Sequence, residues 1–165
     1  MISGASLGDH VLEIGAGPGA ATQELRRLAP WVTSLEYSHS FAANLAARDR
    51  NGNGSVLQGD AAALPFAQKS FSSAIAMLML HHLRSSGEQE RAFREIFRVL
   101  RPGGVFFALD IPDRLLHRAI HWRSTFVPLN PLTIPARLAA AGFSQVNVQF
   151  RPGGFGFQAV RTLRA

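Results

Sequence analysis

Residues 11–19 read Val-Leu-Glu-Ile-Gly-Ala-Gly-Pro-Gly, an apolar strand that runs straight into a turn holding three glycines. Val11, Leu12 and Ile14 suit a buried strand. Gly15, Gly17 and Gly19, around Ala16, leave the backbone bare where a ligand can lie against it. Ala20 to Ala29 then has helical character and stops at Pro30. Strand, glycine turn and helix in that order predict the opening unit of an α/β domain of the nucleotide-binding type.

The glycine spacing is G-x-G-x-G, so the third glycine falls one residue earlier than in the dinucleotide fingerprint. Glu13 lies inside the strand just before the turn, within reach of a ligand's amine. A dinucleotide site needs helix N-terminal amides aimed at a pyrophosphate. A ligand carrying an adenosine, an ammonium and a carboxylate needs acids as well as open amides. The mix present here fits S-adenosylmethionine better than NAD.

The following segments agree. Trp31 to Tyr37 reads as a second strand with Glu36 at its tip, where an acid can accept both hydroxyls of a ribose. Ser38 to Arg48 reads as a helix, residues 51–54 as a turn, and Ser55 to Gln58 as a third strand. Gly59-Asp60-Ala61 follows, and Phe71 to Leu80 is an apolar fourth strand leading into His81-His82. Ser85 and Glu88 have capping-box spacing ahead of a helix that presents Ala92, Phe93, Ile96, Phe97 and Leu100 on one face. Pro102-Gly103-Gly104 ends that helix, and Val105 to Leu109 forms the fifth strand. Ile111 to Phe126 and Pro131 to Ala141 are expected helices, the second capped by Gly142. Val146, Val148 and Phe150 alternate with polar residues as a half-buried strand, and Phe155 to Leu163 returns after a four-residue turn. So short a connection makes that last pair antiparallel.

Taken together, VLEIGAGPG, the Glu36 strand tip, GDAAALPF, SFSSAIAMLMLHHL and FREIFRVLRPGG resemble the class I S-adenosylmethionine-dependent methyltransferases. The likeness is to the small-molecule branch typified by ubiquinone and menaquinone biosynthesis, strong over residues 9–110 and general beyond. The resemblance implies a Rossmann-like, doubly wound α/β sheet, mostly parallel, with helices on both faces. Its seven strands would run in the order 3-2-1-4-5-7-6 with strand 7 antiparallel. It implies that Glu13 and Gly15, Ala16, Gly17 and Gly19 surround the methionyl part of the cofactor. Glu36, followed by Tyr37, would hold the ribose, and Asp60 with the Ala61 amide would read the adenine edge. Ala76 and Met77, in the segment to Met79, would run beside the cofactor.

Two positions depart from the family pattern. Ser72 stands where the family carries Asp, which is expected to affect strand capping more than chemistry. Only ten residues precede Val11, where relatives carry helices over the cleft. The expectation is a single domain over residues 1–165 without those cap helices. Its cleft is then open, or covered by a second copy in a homodimer, or the start is mis-set.

At 165 residues the length suits one domain, and 47% hydrophobic residues predict a packed core. The absence of cysteine excludes disulfides, thiol nucleophiles and cysteine-based metal sites. No apolar stretch reaches the roughly 20 residues a membrane helix needs, and no signal-peptide pattern opens the chain, so a cytoplasmic enzyme is expected. The net charge of +6 sits in the second half: residues 84–165 hold twelve basic and five acidic side chains. Such a face can attract an anionic substrate or nucleic acid, but arginine-biased usage explains it as well, since Lys69 is the only lysine.

Methyl transfer from a sulfonium is an in-line displacement that needs alignment and water exclusion more than a catalytic dyad. A base is required only if the acceptor must lose a proton. His81 and His82 lead the candidates because they follow the carboxyl end of the fourth strand, with Asp110 and His117 behind them. Each histidine also has a purely structural reading, and Asp110 reads more readily as a helix cap. His117 and His121 share i, i+4 spacing, but without a neighbouring acid or cysteine no metal site is assigned. Trp122 and Phe126 read as core or as the wall of an apolar acceptor pocket. The expected acceptor is a small molecule. The alternatives are an RNA or protein methyltransferase, for which the basic half is the only support, and a non-catalytic cofactor-binding partner protein.

Overall fold

Alternation along the first strand divides the core between two faces of one sheet. Leu12 and Ile14 join Phe93, Ile96, Leu138 and Phe157 on one face, while Val11 joins Leu25, Val32, Ile75 and Phe107 on the other. The computed structural model describes residues 6–48, 52–113 and 125–163. In chain order the elements are β1 (His10–Ile14), α1 (Thr22–Leu28), β2 (Trp31–Glu36), α2 (His39–Arg48), β3 (Gly54–Gln58) and β4 (Phe71–Met77). There follow a 3-10 turn (Leu80–His82), α3 (Ser86–Val99), β5 (Leu100–Asp110), α4 (Ile134–Ala140), β6 (Phe143–Arg151) and β7 (Gly154–Arg161).

The sheet order is β3-β2-β1-β4-β5-β7-β6. β7 runs antiparallel to both β5 and β6, and the other pairs are parallel. The expected topology is the observed one. The strand order reverses between β1 and β4, so the loops leaving β1, β2 and β4 meet over the carboxyl edge, where open α/β sheets hold their ligands.

Several boundaries differ from expectation. β5 begins at Leu100, which pairs with Phe71, and a register shift follows before Ser73 meets Val105. Gly103, at φ 78°, carries the chain through that irregularity, so Pro102-Gly103-Gly104 lies inside the strand. β4 ends at Met77 because Leu78 turns to φ 55°. Residues 111–113 and 125–126, the ends of the expected helix from Ile111 to Phe126, are not helical; His117, His121 and Trp122 lie outside the described residues. Phe150 is 68% exposed and not on a half-buried face, because it pairs with Phe155 one step from the hairpin turn. Ser85 caps α3 through Glu88 N–H, while the Glu88 carboxylate accepts from Arg84 N–H, one residue earlier than a standard capping box.

The amino edge of the sheet is held by hydroxyls. Ser72 Oγ accepts from His10 N–H at 3.0 Å and shares its one proton between the Leu7 and His10 carbonyls, at 2.9 and 2.8 Å. Ser73 Oγ donates to Leu7 O as well, and Thr33 Oγ1 bonds both His10 Nε2 and Ser55 Oγ. Ser72 thus anchors β4 to the chain entering β1, far from the carboxyl edge.

Candidate functional site

β1 delivers its chain to the carboxyl edge at Ile14, and the glycine turn is pinned there by its own backbone. Gly15 N–H and Ala16 N–H both donate to Leu35 O, at 2.8 and 3.2 Å. The glycines have separate reasons to be glycine. At Gly15 a Cβ would meet Met79 Cβ at 2.7 Å, and at Gly19 it would meet Leu45 Cδ1 at 2.5 Å. At Gly17, φ 52°, a Cβ would meet nothing within 4 Å and would project from the bare turn. The first two serve packing; Gly17 keeps the turn's outer face clear.

Glu13 is almost wholly buried beneath this turn, and its Oε2 accepts from Thr22 Oγ1 at 2.7 Å and Ser34 Oγ at 2.6 Å. Burial pushes its carboxyl above the ordinary value, against the pull of those two hydroxyls and of Arg26. Glu36, at the tip of β2, is gripped from two directions. Its Oε2 accepts from Gly17 N–H and its Oε1 from Ser38 N–H, each at 2.8 Å. The strand tip and the glycine turn are therefore one unit. After β3, Asp60 Oδ1 accepts from Ala62 N–H at 2.8 Å, which fixes the loop and buries Ala61.

These loops surround a cavity of about 890 Å³. Glu13, Glu36 and Asp60 all line it, so the three acids at successive strand ends do converge. Gly15, Ala16, Gly17, Tyr37 and Ala61 line it too, as does Met77 from β4. Gly19 and Ala76 do not: Gly19 backs onto α2, and Ala76 is fully buried between Ile14 and Ala108 in the sheet.

The two histidines part company. His82 lines the cavity and sets its Nδ1 3.4 Å from Thr125 O. His81 turns inward, 2% exposed, with Nδ1 2.6 Å from Asp110 Oδ1 and its ring against Phe126. Asp110, fully buried, also accepts from Leu80 N–H and Ile111 N–H, so it secures the β4 and β5 exits instead of capping a helix. Gln89 of α3 completes this wall by donating to Leu80 O and Val127 O. Among the described residues no group of three potential ligands could hold a metal ion.

Sequence reasoning missed other parts of the lining, namely Phe41, Leu83, Thr125 and the Arg84–Glu88 ion pair, while Leu78 fell within the segment to Met79 expected beside the cofactor without being singled out. Leu78 had a potential signal in its place at a strand end, but nothing in the residue type announces its backbone. No helix among the described residues is long and apolar enough to cross a membrane.

The comparisons with known proteins bear on this arrangement. A family profile described as a methyltransferase domain matches residues 12–108. A demethylmenaquinone methyltransferase of Tropheryma whipplei (strain Twist) is 36% identical over 104 residues, covering 61% of this chain and 41% of the relative. One of the same name from Mycolicibacterium vanbaalenii is 28% identical over 173 residues, covering 88% of this chain and 73% of the relative. The chain thus spans about two fifths of the first relative's length. Among solved structures, a SAM-dependent methyltransferase from Methanosarcina mazei superposes with a TM-score of 0.78 at 20% identity, over 97% of this chain and 95% of the other. That last likeness is one of fold.

Proposed function

The chain belongs to the methyltransferase domain family, and we propose that it transfers a methyl group from S-adenosylmethionine to a small-molecule acceptor. The observation that carries this reading is the convergence of Glu13, Glu36 and Asp60 around a bare glycine turn on one cavity. The donor set suits the cofactor part by part. A carboxylate has about four lone-pair sites. Glu36 has committed one on each oxygen to a backbone N–H, which leaves one per oxygen for the two ribose hydroxyls. Asp60 keeps Oδ2 for the adenine amine, beside the Ala61 amide as donor to the ring. The clear face of Gly17 admits the aminoacyl chain, and Glu13 lies below to meet its ammonium.

S-adenosylmethionine held by these residues would supply a methyl carbon on a cationic sulfur, open to displacement by the acceptor's lone pair with the carbon–sulfur pair returning to sulfur. Met77, Leu78 and Met79 keep water from the line of attack. His82, on the same wall, takes the acceptor's proton where one must leave. His81, held by Asp110 in the interior, positions that wall. The relatives named as demethylmenaquinone methyltransferases support a small organic acceptor.

Calorimetric titration with S-adenosylhomocysteine tests the reading. Wild type is expected to bind. Asp60→Ala, losing a charged acceptor worth about 1.5–3 kcal/mol, is expected to bind roughly 10- to 150-fold more weakly. No heat with wild type, or equal affinity in the variant, would sink it.

A further inference from the structure

Beyond β4 the chain does something a strand does not. Successive strand residues face opposite sides, yet Met77, Leu78 and Met79 all line the cavity. The cause is Leu78, whose φ of 55° lies in the left-handed region, where a Cβ crowds the carbonyl oxygen and leucine is rare. Strain of this kind persists only where the surroundings over-determine the backbone. They do so here on both sides. Leu78 N–H donates to Leu109 O at 2.8 Å. Met79 packs against the Cβ-less face of Gly15, and Leu80 N–H is held by the buried Asp110. The outcome is a leucine side chain 48% exposed inside a cavity, supported by a backbone that pays no packing dividend for it.

From this geometry we infer that Leu78 selects the methyl acceptor, admitting molecules that are uncharged where they meet it. The inference rests on the proposed methyl transfer and adds the specificity residue. The three cavity acids stand at the carboxyl ends of β1 and β2 and just after β3, on the cofactor's side. On the β4 side the charged groups among the described lining residues are Arg84 and Glu88, paired at 3.1 Å, with Arg91 also 3.7 Å from the Glu88 carboxylate. Leu78 with its neighbours Met77, Met79 and Leu83 therefore forms an apolar wall, with His82 as its polar element. A charged acceptor group placed there would lose its water and, among the described lining residues, meet only Arg84 and Glu88, which already face each other.

Two probes of nearly one shape test this on the full chain saturated with S-adenosylhomocysteine: the 2-sulfonamide of 1,4-dihydroxynaphthalene, which is neutral, and its 2-sulfonate, both kept reduced under argon. Wild type is expected to bind the neutral probe at least tenfold more tightly than the sulfonate. Leu78→Lys is expected to reverse that order, and Leu78→Gly to weaken the neutral probe about tenfold with Tm unchanged or higher. Each variant is titrated at an S-adenosylhomocysteine concentration that saturates it, so the readout is the order of the two probes alone. Failure of wild type to prefer the neutral probe, or of Leu78→Lys to shift the preference, overturns the inference, as does a large fall in Tm for Leu78→Gly, the mark of a packing residue. Loss of S-adenosylhomocysteine binding by wild type would instead overturn the proposed function.

Discussion

Replacing Glu36 by glutamine keeps the size and shape of the side chain and changes only which atoms can accept. In the native protein both oxygens accept backbone N–H bonds, from Gly17 and from Ser38, each at 2.8 Å. An amide has one oxygen, so its NH₂ must face one of those two donors, and that donor loses its partner at a largely buried position. A hydrogen bond to a charged acceptor is worth about 1.5–3 kcal/mol, and a domain of this size loses about 2–4 °C of Tm per kcal/mol. Glu36→Gln should therefore melt roughly 3–12 °C lower by differential scanning fluorimetry. The same NH₂ cannot accept a ribose hydroxyl, so calorimetry should find S-adenosylhomocysteine bound about 10- to 150-fold more weakly. A lower Tm with unchanged affinity would show that Glu36 only clamps the turn. An unchanged Tm would refute the two-bond geometry itself.

Glu13→Gln should behave in the opposite sense for stability. Burial raises the folded carboxyl above its ordinary 4.5, so the folded state holds this proton more tightly than the unfolded chain, and the charged form costs stability as pH rises from 4.5 upward. The glutamine oxygen can keep both hydroxyl bonds. The variant should match wild type in thermal melts at pH 4 and exceed it at pH 8, and a constant gap across that range would contradict the assignment. For the histidine pair, His81→Ala leaves the buried Asp110 short of a partner and should cost about 3 kcal/mol in urea unfolding. His82→Ala should leave the unfolding midpoint unchanged and lower the methylation rate for acceptors that must lose a proton; an equal stability loss in both would refute the division.

The strands were legible because each motif marks a strand's carboxyl end and an apolar run before a glycine turn has few other readings; their order came only with the family resemblance those motifs carry. Glu13, Glu36 and Asp60 were legible for the same reason. His81 and His82 were not separable: adjacent and identical in chemistry, they are sent to opposite sides by a single 3-10 turn. Gly19 and Ala76 illustrate a second limit, since a small residue beside a site can serve the ligand or the packing behind it, and only the neighbouring Leu45 and Ile14 decide. Pro102-Gly103-Gly104 looked like a terminator because those residues usually break elements. A glycine at positive φ instead let the β5 pairing resume on the far side of an irregularity. The place of Leu78 beside the site was legible but its left-handed backbone was not, because that conformation is imposed by Leu109, Asp110 and Gly15.

The serine and threonine hydroxyls that tie Leu7, His10, Ser72 and Thr33 together sit about 16 Å from the cleft, one five-residue strand away. That distance separates durability from chemistry. The loops on the working side can be rewritten for new clients while the seam at the other end goes on holding the strands in register. Tolerance of novelty is built into where the fastening lies.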